Sequence, residues 1–222
     1  MLIKYNSLGG KYMDLKELSL FVQKGNAKKV IELVALGLEE KISAEDILNE
    51  GLISAMSEVG IKFKNNEIYV PEMLIAARAM SAGMKILEPI LVESGVKAIG
   101  VAVIGTVKGD LHDIGKNLVR MMLKGCGIEV YDIGVDVSPE AFADKAEEVG
   151  AQIVCLSALL TTTMPSMKDV IDEFTKRGIR DKYIFMIGGA PITTNFAKEI
   201  GADYYTADAA TAAEVAKSLL VS

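Results

Sequence analysis

The first part of the chain, residues 12–92, places its hydrophobic residues at the spacing of amphipathic helices. Four stripes can be followed, formed by Leu15, Leu18, Phe21 and Val22; by Val30, Ile31, Val34, Ala35 and Leu38; by Leu48, Leu52, Ala55, Met56 and Val59; and by Met73, Leu74, Ala77, Met80, Met84 and Leu87. Ser43 and Asp46 resemble a capping box at the start of the third helix, and Pro71 suits the first turn of the fourth. Because the connections are short, we expect antiparallel neighbours in a small helical bundle.

A different pattern begins near Ala98, where short apolar runs alternate with amphipathic stretches. The runs are AIGVAVIG, IEVYDIG, AQIVCLSA, YIFMIGG and ADYYTA, with helix-like segments near 113–126, 138–149, 164–178, 193–200 and 209–220. Strands that alternate with helices are typical of a parallel sheet covered on both faces. Five such units predict a flavodoxin-like, doubly wound α/β domain over residues 98–222, with ligands beyond the carboxyl ends of its strands. Pro89 and Gly95 interrupt the helical pattern, so the boundary is predicted near 88–97.

Composition and charge narrow the possible partners. Half of the 222 residues are hydrophobic, which suffices for a sizeable core, and the formal net charge is −6 without any Lys/Arg-rich run. This balance argues against nucleic acid and against an anionic membrane surface as partners. No apolar stretch reaches the roughly 18 residues of a membrane span, and the N-terminus is too polar for a signal peptide, so we expect a cytoplasmic protein. Cys126 and Cys155 are predicted to be buried free thiols, and with His112 they form no zinc pattern.

The only histidine of the chain, His112, lies in the segment KGDLHDIGKN, which follows the first predicted strand. Asp110 can accept a proton from one imidazole nitrogen, and the other nitrogen then faces outward as a base or a metal ligand. A loop histidine that caps a helix would show the same spacing, so this pair alone leaves both interpretations open. The segment does not supply the glycine and lysine spacing of a phosphate-binding loop.

Two further segments are expected at the same edge of the sheet as His112. The third strand runs out into Ser157, Leu159, Thr161 and Thr163, and the fourth ends in Gly188-Gly189. Two consecutive glycines let a bulky group approach the backbone closely. The sequence therefore predicts a binding site at this edge.

In combination, Asp110-x-His112-x-x-Gly115, Ser157-x-Leu159 and Gly188-Gly189 resemble the signature of the cobalamin-binding domain of methionine synthase and its corrinoid-protein relatives. The segment GIKFKNNEIYVPEMLIAARAM resembles the helical cap domain of that family. SALLTTTMPSMKD resembles the stand-alone corrinoid proteins of methanogenic and acetogenic methyltransferase systems. The resemblance covers nearly the whole chain and implies a helical cap over residues 12–92 followed by a cobalamin-binding domain over 98–222.

The resemblance also implies roles for the matching residues around the metal. His112 would be the lower axial ligand of cobalt in place of the cofactor's own benzimidazole, the base-off/His-on form, and Asp110 would be its carboxylate partner. Thr163 stands where methionine synthase has a serine that links this pair to solvent, and the added methyl group puts that role in doubt.

Other matching positions would surround the rest of the cofactor. Ser157 would bond the displaced benzimidazole, Leu159 would line the slot for the nucleotide tail, Thr161 would bond the corrin, and Gly188 and Gly189 would leave room for the tail. Simple hydrogen bonding at the strand end is the alternative for Ser157 and Thr161. Phe63 and Val70 would shield the upper face of cobalt, and the alternative for either is a hydrophobic staple at the fourth helix. Phe63 is expected in a polar loop, within the segment FKNNE.

The function that the resemblance implies is that of a methyl carrier. A substrate-specific methyltransferase would place a methyl group on cobalt, a second methyltransferase acting on tetrahydrofolate or coenzyme M would remove it, and a reductive activase would be a further partner. The donor (methanol, a methylamine, a betaine or an aryl methyl ether) stays open, as does the acceptor. The alternatives are a cobalamin-based sensor or regulator, and a receiver-like or flavodoxin-like domain without a corrin.

Overall fold

The computed structural model of the protein describes residues 13–94 and 97–221, which divide between Lys97 and Ala98 into two units. The N-terminal unit is helical, as predicted. Its helices are α1 (Leu15–Gln23), α2 (Ala27–Glu39), α3 (Ala44–Asp46), α4 (Ser54–Lys64) and α5 (Val70–Glu93), and the π-helical segment Ile47–Ile53 joins α3 to α4. The capping interaction predicted for the third helix is present, because the Ser43 side chain accepts a hydrogen bond from the backbone amide of Asp46.

Two local expectations for this unit were wrong. Pro89 does not interrupt the last helix, because α5 continues through it to Glu93. A proline removes one backbone donor from a helix, and α5 tolerates this loss close to its C-terminal end. Phe63 was expected in a polar loop but lies in the last turn of α4, since the helix extends to Lys64.

The C-terminal unit is a five-stranded parallel sheet with a helix after every strand. The strands are β1 (Val101–Thr106), β2 (Glu129–Asp132), β3 (Ile153–Ser157), β4 (Ile184–Gly188) and β5 (Tyr204–Tyr205), and the helices are α6 (Ile114–Gly125), α7 (Pro139–Val149), α8 (Pro165–Lys176), α9 (Thr194–Ile200) and α10 (Ala209–Val221). The strand order β2-β1-β3-β4-β5 is that of the flavodoxin-like fold, which confirms the predicted fold class.

The apolar runs form strands because helices cover both faces of the sheet. Phe142, Phe174 and Phe185 are fully buried against it, and the ring of Phe174 packs edge-on against that of Phe185. Cys126 and Cys155 are free and buried, as predicted, and burial raises the pKa of the Cys155 thiol to about 12. Within residues 13–94 and 97–221, no helix combines the length and the apolar character that crossing a bilayer requires.

The order of the strands determines where a ligand can bind. β1 pairs with β2 on one side and with β3 on the other, so the connections after β1 and β3 run in opposite directions. The crevice between such diverging loops, beyond the carboxyl ends of the strands, is where open α/β sheets bind ligands. The β1–α6 loop carries His112, and the β3–α8 loop carries Thr163.

Candidate functional site

The site is built around the buried carboxylate of Asp110 in the β1–α6 loop. The chain turns at Gly109, whose φ of +82° lies in the left-handed region that glycine adopts without strain. This turn directs the side chain of Asp110 inward, where it is inaccessible to solvent.

Five hydrogen bonds converge on this carboxylate. Its Oδ1 accepts from the backbone amide of His112 at 3.0 Å and is 2.7 Å from His112 Nδ1. Its Oδ2 accepts from the amides of Leu159 at 2.8 Å and Leu160 at 3.3 Å and from the Thr163 hydroxyl at 2.7 Å. Burial by itself raises the pKa of Asp110, but these bonds outweigh it and hold the pKa well below its ordinary value. Asp110 is therefore an anion that can only accept hydrogen bonds.

The anionic state of Asp110 determines the tautomer of His112. Because the carboxylate cannot donate, the proton between the two side chains belongs to His112 Nδ1. In the neutral ring Nε2 then carries the lone pair. The side chain of His112 is 49% exposed, whereas that of Asp110 is fully buried. The pair thus offers one oriented, accessible nitrogen donor, which is how proteins present histidine to metals.

Exposed apolar residues flank the Asp110–His112 pair in the two loops that meet at Asp110. Leu111 and Ile114 are 71% and 74% exposed, and Leu159 and Leu160 across the crevice are about as exposed as His112. Large apolar residues grouped in this way mark a binding surface. Gly115, in the first turn of α6, borders the same region, and a Cβ built there meets no heavy atom within 4 Å. Packing within the protein therefore does not require glycine at this position. An exposed imidazole, an apolar rim and a position without a side chain fit the lower face of a corrin.

The remaining predicted hydroxyls lie on the β3 side of the crevice. Ser157 ends β3 and is half-buried, and Thr161 is exposed in the following loop. Among the described residues, neither side chain has a hydrogen-bond partner, so the strand-end bonding considered as an alternative is absent there. Both hydroxyls are available to a ligand, and their roles stay predictions.

The two glycines at the end of β4 have different surroundings. Gly189 has a φ of +141°, and a Cβ there would lie 1.8 Å from the carbonyl oxygen of Ala158. A Cβ on Gly188 would lie 3.4 Å from the carbonyl oxygen of Thr206, an ordinary contact. The fold itself therefore requires glycine at position 189. Of the two positions, only 188 could carry a side chain without a clash within the protein, so the space there is available to a ligand.

The two residues expected at the upper face of cobalt belong to the N-terminal unit. Phe63 lies in the last turn of α4 and Val70 is the first residue of α5, and both are half-buried. Their shielding role stays a prediction.

Several residues that support the site were missed by sequence reasoning. Thr106, fully buried at the end of β1, donates its hydroxyl proton to the carbonyl oxygen of His112 at 2.9 Å. Lys116 is 3% exposed and binds Asp132, at the end of β2, at 2.5 Å. Asp136 contacts the turn at Gly109. The sequence could have pointed to Thr106 and Asp132, because each places a polar side chain at the end of a predicted strand. The contacts that these side chains make depend on the topology of the folded sheet.

The fold and this site define a doubly wound domain with a single oriented imidazole at the ligand-binding edge of its sheet. Comparison with known protein families is more specific. Residues 100–216 match the B12 binding domain, and residues 15–88 match a second family model of that description. The protein belongs to the cobalamin-binding corrinoid proteins, which confirms the family expected from the motifs.

Known relatives resemble the chain over most of its length. It is 42% identical over 194 residues to dimethylamine corrinoid protein 3 of Methanosarcina acetivorans, covering 87% of this chain and 91% of that protein. It is 38% identical over 209 residues to a corrinoid protein of Desulfitobacterium hafniense strain Y51, covering 93% and 97%. The structure of the methanol:cobalamin methyltransferase complex from Methanosarcina barkeri contains a chain that matches with a TM-score of 0.84 at 27% identity, covering 93% of this chain and 79% of that one.

Proposed function

We propose that the protein is a methyl carrier with a helical cap over residues 12–92 and a corrinoid domain over residues 98–222. A substrate-specific methyltransferase, acting on a methylamine, donates the methyl group, and a second methyltransferase delivers it to tetrahydrofolate or coenzyme M. The bound corrinoid supplies a cobalt atom that takes up and releases the methyl group. The observation that carries the proposal is the accessible His112 ring held by the buried anion of Asp110. The methylamine class rests on the name of the Methanosarcina relatives.

In this proposal His112 Nε2 would bind the cobalt of the corrinoid, which corresponds to the base-off/His-on form. Asp110 supports that bond, because a hydrogen bond from Nδ1–H to a carboxylate raises the basicity of the opposite nitrogen. Leu111, Ile114 and Leu159 would contact the apolar face of the corrin. We further propose that the protein works in the cytoplasm and that a reductive activase is one of its partners.

Thr163 supports the anionic form of Asp110. Its Oγ1 lies 2.7 Å from Asp110 Oδ2 and 2.9 Å from the carbonyl oxygen of Leu160, and its single proton can serve only one of them. While Asp110 is an anion, the charged acceptor is preferred. Thr163 therefore donates to Asp110 and helps to keep the carboxylate anionic beside His112 Nδ1.

The proposal is tested by reconstitution. The protein, loaded with cobalamin and reduced, is mixed with a methylamine-specific corrinoid methyltransferase and each methylated amine, and methylation is followed in the visible spectrum. Asp113→Asn serves as a matched control, because Asp113 is next to His112 but, within the described part of the chain, its side chain bonds only Asn117. We expect methylation of the wild type and of Asp113→Asn with at least one amine, followed by transfer to an acceptor when the second methyltransferase is added. A loaded protein that no amine methylates would refute the methylamine assignment, and a methylated one that no acceptor enzyme demethylates would refute the carrier role.

A further inference from the structure

Asp136, in the loop between β2 and α7, has a backbone conformation that its place in the chain does not explain. The described residues other than glycine with positive φ are Lys41, Asn66 and Asp136. Lys41 and Asn66 directly follow the C-caps of α2 and α4, where left-handed residues are common. Asp136 follows no helix, and its φ is +53°. Left-handed conformations of residues other than glycine persist where surrounding contacts enforce them.

The contacts that enforce this conformation go to the turn that carries Asp110. The Asp136 carboxylate accepts a hydrogen bond from the backbone amide of Gly109 at 2.7 Å. The backbone amide of Asp136 donates to the carbonyl oxygen of Asp110 at 3.0 Å. One residue thereby binds both sides of the Gly109–Asp110 peptide segment. Beside it, the amide of Val137 donates to the carbonyl oxygen of Thr106 at 3.0 Å and continues the same pairing towards β1.

These contacts complete the support of the Asp110–His112 pair. The carboxylate of Asp110 is held from the β3 side by Thr163 and Leu159. Its backbone is held from the β2 side by Asp136. The His112 ring is itself half exposed, and within the described residues its side-chain hydrogen bond is the one with Asp110. A displacement of the Asp110 backbone would therefore be passed directly to the imidazole.

We propose that Asp136 is a positioning residue for His112: it clamps the Gly109–Asp110 turn and so sets the orientation of the ring and the strength of its bond to cobalt. The part that concerns cobalt rests on the proposed function, whereas the orientation of the ring does not. No chemical step is assigned to Asp136, which touches neither the imidazole nor the metal site directly.

Two substitutions separate the side-chain hydrogen bond from charge and backbone conformation. Asp136→Asn removes the charge but retains an oxygen acceptor and tolerates the left-handed region. Asp136→Gly retains that conformation and the amide that bonds Asp110, but removes the acceptor for Gly109. Because glycine also relieves the left-handed strain, we expect the urea midpoint of Asp136→Gly to stay close to that of the wild type.

The first measurement uses the protein without corrinoid. His112 is the only histidine, so a long-range proton–nitrogen NMR spectrum shows a single imidazole. The wild type and Asp136→Asn should show the Nδ1–H tautomer, with slow exchange of that proton and of the Gly109 amide proton. Asp136→Gly should show nitrogen shifts displaced towards a tautomer mixture and faster exchange of both protons. Wild-type shifts and exchange in Asp136→Gly would overturn the proposal, and so would an equal change in both variants, because the charge would then be responsible.

The second measurement uses the cobalamin-loaded proteins in the cobalt(II) state. Electron paramagnetic resonance should show a smaller His-on fraction in Asp136→Gly than in Asp136→Asn, with cobalamin affinity lower by up to about tenfold, the lower end of outer-shell effects around metal-bound histidines. Equal His-on fractions in the two variants would overturn the part of the proposal that concerns cobalt. If the wild type showed no histidine ligation at all, the proposed function would fail, while the NMR comparison would still decide whether Asp136 orients the ring.

Discussion

Substitution of Thr163 by valine isolates one hydrogen bond to the buried anion. Valine keeps the shape of threonine but removes the hydroxyl that donates to Asp110 Oδ2 at 2.7 Å. Hydrogen bonds to charged groups contribute about 1.5–3 kcal/mol to stability. The amides of Leu159 and Leu160 still reach the same oxygen, so the carboxylate is not left without a partner. We therefore expect a loss near the lower end, about 1.5–2 kcal/mol in the free energy of unfolding.

The assay is urea unfolding of the corrinoid-free protein at neutral pH. Tyrosine fluorescence is a suitable probe, because four of the seven tyrosines (Tyr131, Tyr183, Tyr204 and Tyr205) belong to the C-terminal unit, and the chain contains no tryptophan. Thr163→Ser is the matched control, since it keeps the hydroxyl and removes one methyl group, which contributes about 0.8 kcal/mol when buried. The serine variant should therefore unfold at a higher urea concentration than the valine variant.

A double-mutant cycle with Asp110→Asn decides whether the loss belongs to this bond. Without the charge on residue 110, removal of the Thr163 hydroxyl should cost clearly less than in the wild type, with a coupling energy of about 1 kcal/mol or more. If Thr163→Val changed stability by less than about 0.5 kcal/mol, the size of an ordinary surface substitution, the account of a tightly bonded Asp110 anion would be refuted. An equal effect in both backgrounds would refute it as well.

Three further predictions concern other parts of the site. Gly115→Ala should leave the free protein as stable as the wild type or stabilise it by about 0.5–1 kcal/mol in urea unfolding, because its Cβ meets nothing within 4 Å, yet it should weaken cobalamin binding in a spectrophotometric titration; undiminished binding would place the corrin elsewhere. Gly189→Ala should unfold at a much lower temperature than Gly188→Ala by circular dichroism, because its Cβ would overlap the Ala158 carbonyl, and equal melting temperatures would contradict this. Asp132→Asn leaves buried Lys116 without its anionic partner and should cost about 3 kcal/mol at pH 7. Burial raises the pKa of Asp132, but the hydrogen bonds from Lys116 and Gly134 outweigh burial and lower the pKa. The stability difference between the wild type and Asp132→Asn should therefore be present above about pH 4 and shrink as the pH falls below it. A stability difference independent of pH would contradict the assignment.

The fold was predictable because its signals are local. The run AQIVCLSA contains an unbroken apolar stretch from Ile153 to Leu156, which suits a short strand covered on both faces, so β3 and its four companions were found. Asp110 and His112 were found because their interaction is between neighbours in sequence. Pro89 misled because a proline is tolerated near the end of a long helix.

The supports of the site were not predictable in this way. Thr106, Lys116 and Asp136 act on segments that meet them only after β1, β2 and α6 have come together. No sequence pattern predicts that Asp136 bonds Gly109 or that the backbone of Ala158 excludes a side chain at position 189. Such contacts between loops depend on strand register, which is a property of the folded sheet.

The central claim is that His112 binds the cobalt atom of the corrinoid, and isotope labelling tests it most directly. Because the chain contains a single histidine, growth on nitrogen-15 histidine labels one imidazole only. In the cobalt(II) state, electron paramagnetic resonance should show a threefold splitting from one axial nitrogen in the unlabelled protein and a twofold splitting after labelling. A splitting that stays threefold would show that the cofactor's own base remains on the metal and would contradict the account.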